Sequence, residues 1–227
     1  MKPVPPPPRP TEAPRRRLTG AIVPALAAAS LAGAAAMMLA WPHGDGSRAG
    51  AGNLPFGCIL NGLNSFGGPL SLTDQNGRAV TQASFAARPT VLYFGYTHCP
   101  DACPTALYAL GQSLAAHNPH NVQAVFVTVD PERDTQAVLR DFARYNGFPA
   151  GLVGLTGTDA QVEAAKTAFG VRSRKAPVEG ATDGSYTVDH TSLFYVMDSH
   201  WRPRGRMSTM GATPEAVTAC LSAALGD

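Results

Sequence analysis

The amino-acid sequence predicts one α/β domain, built on a mixed β-sheet that is flanked by helices. Two apolar runs rich in β-branched and aromatic residues, at 91–94 and 122–129, are typical of strands buried on both faces. Between and after these runs, apolar residues recur at helical spacing. Because strands and helices alternate along the chain, we expect the two apolar strands to lie parallel to each other in the centre of the sheet.

The first 41 residues differ in composition from the predicted domain. Residues 1–17 form a basic, proline-rich head, and residues 18–41 contain no charged side chain. A helix of about 24 residues is long enough to cross a bilayer, so the second stretch is either a transmembrane anchor or a signal peptide. We favour the anchor, since the apolar core of a signal peptide is usually shorter.

Positive charge is concentrated in the head. The chain has 18 Lys and Arg residues against 16 Asp and Glu residues, and five of the basic residues lie within 1–17. The predicted domain itself is not basic, which indicates that nucleic acid is not a partner. Arg15, Arg16 and Arg17 stand just before the apolar stretch and keep the N-terminus in the cytoplasm. We therefore predict a single-pass protein of a bacterial cytoplasmic membrane, with its domain facing the periplasm.

Residues 42–66 separate the apolar stretch from the domain. They are rich in Gly, Pro and Asn and show no hydrophobic period, which predicts a flexible linker. The predicted α/β domain is then expected over 67–227. It begins with a short strand that enters an Asn76-Gly77 turn, a dipeptide typical of antiparallel hairpins.

Helices are predicted where apolar residues recur every three or four positions. One helix follows the strand at 91–94, and two more follow the strand at 122–129. A last strand, at 193–197, precedes a C-terminal helix with Thr213 as N-cap and Pro214 in its first turn. The residues that define the helical faces are Leu107, Leu110 and Leu114; Val138, Phe142 and Tyr145; Val162, Ala165 and Phe169; and Val217, Cys220, Leu221 and Ala224. This order of elements matches a thioredoxin-like layout.

Cys99 and Cys103 lie between a buried strand and a helix, where open α/β sheets build their sites. The free N–H groups of a helix N-terminus lower the pKa of a thiol and so favour the thiolate. Three residues separate the two cysteines, whereas two separate those of thioredoxin. The wider spacing favours a pair that holds an ion between its sulfurs, although the same pair can also form a redox disulfide.

His190 stands just before the strand at 193–197. In a thioredoxin-like sheet this strand is adjacent to the one that delivers the cysteines, so we expect His190 to face the two sulfurs. Two thiolates and one imidazole are soft to borderline ligands that suit Cu(I), can also hold Cu(II), and do not suit Mg²⁺ or Ca²⁺. Zinc remains an alternative, because two Cys and one His with an open position resemble a catalytic zinc site.

Four motifs give the chain a resemblance to the Sco/SenC family of copper chaperones for cytochrome c oxidase. In chain order they are GYTHCPDACP at 95–104, TVDPERDT at 128–135, GLTGT at 154–158 and VDHTSLFYVMD at 188–198. The resemblance covers about 67–225, nearly the whole predicted domain. It implies a thioredoxin-like fold on a single membrane anchor, with copper bound by the two cysteines and a distal histidine. Those ligands fall on Cys99, Cys103 and His190.

The resemblance also implies partners. These are the copper-bearing subunit of cytochrome c oxidase, which receives the metal at a binuclear site, a copper donor chaperone, and the membrane, which holds the N-terminal helix. An extracytoplasmic thiol reductant is expected as well, since only the reduced cysteines bind copper. A second hypothesis is an enzyme, a thiol-disulfide oxidoreductase that keeps the cysteines of the oxidase copper site reduced.

Other polar residues carry weaker expectations. Asp130 and Pro131 are expected to shape the surroundings of the site rather than to bind metal, and His98 to tune the pKa of the neighbouring thiol. His200 is interpreted as a residue of a solvent-facing turn, in a segment where the chain departs from the usual family pattern. Cys220 is expected to be a buried, inert thiol. Cys58 falls in the predicted linker, and the sequence indicates no role for it.

Overall fold

A computed structural model describes residues 54–226 of the chain. Over this part of the chain the strands are β1 (Cys58–Ile59), β2 (Ser71–Asp74), β3 (Ala79–Thr81), β4 (Thr90–Gly95), β5 (Gln123–Thr128), β6 (Val153–Thr156), β7 (Ser173–Pro177), β8 (Tyr186–His190), β9 (Leu193–Met197) and β10 (Pro203–Ser208). The α-helices are α1 (Ala102–Ala116), α2 (Gln136–Phe142), α3 (Asp159–Phe169) and α4 (Pro214–Leu225). Short 3-10 helices occupy Leu63–Ser65 and Gln82–Phe85.

Within residues 54–226, eight of the strands form one mixed sheet in the order β1-β10-β9-β4-β5-β6-β2-β3. Strand β4 pairs in parallel with β5, and β5 pairs in parallel with β6. On its other side β4 pairs antiparallel with β9, the strand that follows His190. The predicted parallel pair in the centre of the sheet is therefore confirmed, as is the predicted contact between the last apolar strand and the strand that leads to the cysteines.

Helices cover both faces of this sheet. Phe126 of β5 packs on Phe142 of α2, with their ring centroids 4.9 Å apart. Phe94 of β4 packs on Phe169 of α3 at 5.4 Å. Side chains of neighbouring residues alternate across a strand, and all six residues of β4 are buried. This burial on both faces is the reason that β4 reads as a continuous apolar run.

The ends of the domain follow the predicted local signals. The antiparallel β2–β3 hairpin turns at Asn76-Gly77, where Gly77 adopts a positive φ of 83° that suits glycine. At the start of α4, the side chain of Thr213 accepts a hydrogen bond from the backbone N–H of Ala216. Helix α4 then lies against α1, and the hydroxyls of Ser113 and Thr218 are 2.8 Å apart between them.

Among the described residues, five strands were not anticipated from the sequence: β1, β6, β7, β8 and β10. Strand β6 separates two helices that were predicted to be consecutive, the β7–β8 hairpin precedes β9, and β10 follows β9. Strand β10 therefore corrects the prediction that 193–197 is the last strand. Both β7 and β10 carry basic and exposed residues, so they lack the apolar pattern by which strands are recognised. Their pairing with partner strands, rather than local sequence, determines their conformation.

Cys58 and Cys220 form a disulfide bond, although 162 positions separate them. The expectation that Cys220 is a free thiol is therefore wrong. Cys58 lies in β1, which pairs with β10, and Phe66 is part of the core. Residues 54–66 thus belong to the folded domain, which corrects the C-terminal part of the predicted linker at 42–66. A strand of two residues is too short to produce a recognisable pattern.

The basic head at 1–17, the predicted anchor at 18–41 and the linker up to residue 53 lie outside the described residues. Within 54–226, none of the helices combines the length and the apolar character that spanning a bilayer requires. The membrane anchor therefore stays a prediction from the sequence.

Candidate metal centre

Three segments meet where β4 ends. Strand β4 leads through a short loop that carries Cys99 into α1, and Cys103 lies in the first turn of that helix. His190 is the last residue of β8, three positions before the first residue of β9, which pairs with β4. Gly95, the last residue of β4, leaves room for this arrangement, because a Cβ there would lie 3.0 Å from the sulfur of Cys103.

The three predicted site residues come together. The Sγ atom of Cys103 lies 3.5 Å from Nε2 of His190, and the backbone N–H of Cys103 donates to Sγ of Cys99 at 3.3 Å. Nδ1 of His190 lies 3.1 Å from the carbonyl oxygen of Thr191, which makes Nδ1 the protonated nitrogen. Nε2 is then left with its lone pair directed towards the sulfurs, which is the arrangement that a metal-binding imidazole needs.

The two thiols differ strongly in acidity. Hydrogen bonds from the Cys103 thiol and from the backbone N–H groups of Cys103 and Asp101 lower the pKa of Cys99 to about 4, against the opposing effect of its partial burial. The interaction with Cys99 and full burial raise the pKa of Cys103 well above its ordinary value. At neutral pH the pair therefore carries one negative charge, on the sulfur of half-buried Cys99, while Cys103 keeps its proton.

This difference predicts how the alkylation rate of Cys99 depends on pH in the reduced, copper-free protein. Since its pKa is about 4, Cys99 is a thiolate at pH 6 as well as at pH 8, so iodoacetamide should alkylate it at similar rates at both. A thiol with an ordinary pKa near 9 reacts about a hundredfold more slowly at pH 6 than at pH 8. The rate is measured by mass spectrometry, as the fraction of alkylated Cys99 at successive times. The chain unfolded in guanidinium is the control. A steep rise in the alkylation rate of the folded protein between pH 6 and pH 8 would contradict the assigned pKa.

Two tyrosines enclose the site. The ring of His190 makes edge contacts with the rings of Tyr93 and Tyr96, with centroids 6.2 and 6.0 Å away. The hydroxyl of Tyr93 is buried and makes no hydrogen bond of normal geometry with any described residue, although Cys103 lies near enough to affect it. Burial, together with that neighbouring thiol, raises the pKa of Tyr93. These rings shield Cys103 from water and leave Cys99 as the exposed side of the pair.

Asp134 supports the cysteine loop, a role that its local sequence does not reveal. Its fully buried carboxylate accepts hydrogen bonds from the backbone N–H and the hydroxyl of Thr97 and from the hydroxyl of Thr128. Burial raises the pKa of Asp134, while these hydrogen bonds oppose the rise. Because Thr97 lies two positions before Cys99, Asp134 holds the cysteine loop on β5. The only available signal was its place in the motif at 128–135.

The remaining polar residues lie around the site or away from it. Asp130 is buried and hydrogen-bonded to Arg133 and Tyr186, in agreement with its expected role in the surroundings. His98 is half-exposed and its Nδ1 lies 3.0 Å from the hydroxyl of Thr97, so it contacts the loop rather than the sulfurs. His200 is exposed in the β9–β10 turn, at the opposite end of the sheet. It occupies the predicted turn.

The geometry fits a soft metal ion. Within residues 54–226 no group of three or more His, Cys, Asp and Glu side chains is arranged to hold a metal ion as the side chains stand, so the fit concerns the Cys103–His190 pair. Bonds of about 2.3 Å to sulfur and 2.0 Å to nitrogen at a tetrahedral angle place those two atoms about 3.5 Å apart. That is the separation observed between Cys103 and His190. Two sulfurs and one imidazole nitrogen suit copper and zinc.

Comparisons with known proteins indicate a family for this chain. The profile of the SCO1/SenC family matches residues 60–226. The chain is similar to ScoI of Bradyrhizobium japonicum, solved with copper bound, with 42% identity and a TM-score of 0.61 over 70% of this chain and 99% of that one. It is also similar to the mitochondrial SCO1 homolog 1 of Arabidopsis thaliana, at 35% identity over 139 residues and 60% of this chain.

A third similarity, at 23% identity, concerns the fold alone. With a TM-score of 0.55 over 74% of this chain and 99% of the other, the chain resembles BsSco, a member of the Sco family of cytochrome c oxidase assembly proteins in which a disulfide switch was identified. The predicted thioredoxin-like α/β domain is thus confirmed. The matched region spans 40% of the Arabidopsis relative and 65% of a SCO2-like protein of Rickettsia felis, less than two thirds of either.

Proposed function

Because the chain belongs to the SCO1/SenC family, we propose that it binds copper and delivers it to the binuclear copper site of cytochrome c oxidase. Copper is the cargo of this protein. The observation that carries the proposal is the meeting of Cys99, Cys103 and His190, with the Cys103 sulfur 3.5 Å from the free imidazole nitrogen. The ligand set suits both metals, and copper is favoured over zinc because related structures hold copper.

The difference in acidity between the cysteines indicates how copper would enter the site. The Cys99 thiolate is the half-exposed ligand and would take the ion first. Cys103 would then lose its proton as the metal binds, since metal binding to a thiol releases a proton. Release to a partner would reverse this order, with the sulfur of Cys99 exchanged last. The partners proposed for these steps are a copper donor chaperone and the copper-bearing subunit of the oxidase.

The redox state of the pair would control binding. Oxidation of the Cys99 thiolate and the Cys103 thiol forms one S–S bond and releases one proton and two electrons to an oxidant, which removes both sulfur ligands at once. We therefore propose a thiol reductant as a further partner. The Cys58–Cys220 disulfide supports a location outside the cytoplasm, where such bonds persist. We propose that the domain faces the periplasm on a single-pass anchor.

A second candidate function is thiol-disulfide exchange. A low-pKa thiolate at Cys99 beside a protonated Cys103 is the pairing that an oxidoreductase uses for attack and resolution. Thioredoxin-like reductases, however, resemble one another in a cis-proline before the strand that corresponds to β9. Here Ser192 holds that place, and residues 54–226 contain no cis peptide bond.

The variant His190→Ala separates the two candidates. Removing the imidazole should lower Cu(II) affinity by at least about tenfold, while the two sulfurs still hold Cu(I). A thiol reductase needs no imidazole at this position, so its rate of disulfide reduction should change little. Both quantities are measured on the same reduced protein, with His200→Ala as the control because His200 is exposed at the other end of the sheet. Unchanged Cu(II) affinity in His190→Ala, with disulfide reduction retained, would favour the enzyme.

A further inference from the structure

The β7–β8 hairpin, which carries His190, is not part of the main sheet. Among the described residues its two strands pair only with each other. Its base is held by hydrogen bonds between Arg172 and Thr191, and the buried side chain of Val188 contacts the core. The position of His190 therefore depends on side chains that connect the hairpin to the rest of the domain.

Arg133 makes the most extensive of these connections. Its guanidinium carbon lies 3.7 Å from the ring centroid of Tyr186, the first residue of β8, and Nη1 donates to the carbonyl oxygen of Tyr186 at 3.0 Å. Nε of Arg133 donates to one carboxylate oxygen of Asp130, and the Tyr186 hydroxyl donates to the other at 3.0 Å. Arg133, Tyr186 and Asp130 therefore form a closed ring of contacts, in which the Asp130 carboxylate is fully buried.

The same guanidinium also reaches the cysteine loop. Its carbon lies 5.6 Å from the ring centroid of Tyr96, within the range of a cation–π contact. Tyr96 stands edge-on to His190, and its carbonyl oxygen accepts a hydrogen bond from the N–H of Cys99 at 3.3 Å. Arg133 thus contacts one aromatic ring from the cysteine loop and one from the histidine hairpin.

We propose that Arg133 is a positioning residue that joins the His190 hairpin to the cysteine loop and keeps the imidazole within reach of both sulfurs. This inference rests on the proposed copper site. A planar guanidinium can stack on two rings and donate in its own plane at the same time, which the ammonium of lysine cannot do. Lys175 also lies over Tyr186, at 4.5 Å, but it is exposed and paired with exposed Glu132. It therefore holds the hairpin less firmly.

The variant Arg133→Ala tests the inference on two levels. In the copper-free protein, amide hydrogen exchange over 186–190 should accelerate about tenfold or more, while exchange in β4 and β5 stays unchanged. With Cu(II) sulfate, affinity should fall about 10- to 100-fold, as expected when a residue that orients a ligand is lost. The Cu(II) electron paramagnetic resonance spectrum should approach that of His190→Ala. Cu(I) affinity should change much less, and Arg133→Lys should not restore the spectrum.

Arg174→Ala is the matched control, since Arg174 pairs with Asp189 on the exposed side of the same hairpin. Its exchange rates and spectrum should equal those of the unmodified protein. Should Arg133→Ala fail to fold, Tyr186→Leu removes the ring contact from the other side. Unchanged exchange over 186–190, or faster exchange with an unchanged Cu(II) spectrum, would overturn the inference. If the unmodified protein binds no copper, the proposed function fails, and the exchange measurement still decides whether Arg133 holds the hairpin.

Discussion

Replacing Cys99 and Cys103 together with serine is expected to abolish copper binding, from about one copper ion per chain to none. A serine hydroxyl remains protonated at neutral pH and is a hard ligand, so His190 alone would face the ion. Among the described residues, free thiols occur only at these two positions. Binding is measured as copper retained after anaerobic gel filtration of the reduced protein. Full retention of copper in the double variant would place the metal site elsewhere in the chain.

The double variant Cys58→Ser/Cys220→Ser is the matched control. It removes the same number of sulfur atoms, but these two are joined in a disulfide between β1 and α4 and offer no thiolate. It should keep its copper at temperatures where it is folded. The oxidised wild-type chain tests the same ligands without any substitution. Once Cys99 and Cys103 form a disulfide, Cu(I) should no longer bind tightly.

Removing the Cys58–Cys220 disulfide is expected to lower the free energy of unfolding by about 2–5 kcal/mol. The bond joins residues 162 positions apart, and in the chain-entropy account a longer loop restricts the unfolded chain more strongly. It also fastens β1, a strand of two residues at the edge of the sheet, to helix α4. Urea unfolding of Cys58→Ser/Cys220→Ser against the wild type, both with reduced Cys99 and Cys103, gives the difference.

Cys103→Ser is the control for the effect of losing a cysteine that forms no disulfide. Its unfolding curve should show only the change that a buried thiol-to-hydroxyl replacement brings. An unchanged urea midpoint for Cys58→Ser/Cys220→Ser would mean that β1 stays attached through its pairing with β10 alone. It would also show that the disulfide is not needed to hold the N-terminal segment on the domain.

Local sequence determined the centre of the fold and indicated the candidate site residues. Strand β4 is apolar along its whole length because both of its faces are buried, so its character is visible without knowing its partners. The cap of α4 is likewise determined by a contact three residues away, from Thr213 to Ala216. Cys99 and Cys103 were recognisable from their spacing on a strand-to-helix turn, and His190 from its place before an apolar strand.

Tertiary structure decided the features that depend on residues far apart in the chain. Strand β10 has the polar sequence PRGRMS and is a strand because β9 and β1 pair with it. The pairing of Cys58 with Cys220 spans 162 positions, and neither residue has a local pattern that points to the other. Arg133 was one charged residue within a motif, and only the fold shows that it touches both Tyr96 and Tyr186. Periodicity and capping reflect interactions between residues a few positions apart. Cross-sheet pairing, disulfides and ring stacking join residues that are far apart in the sequence and come into contact only in the folded chain.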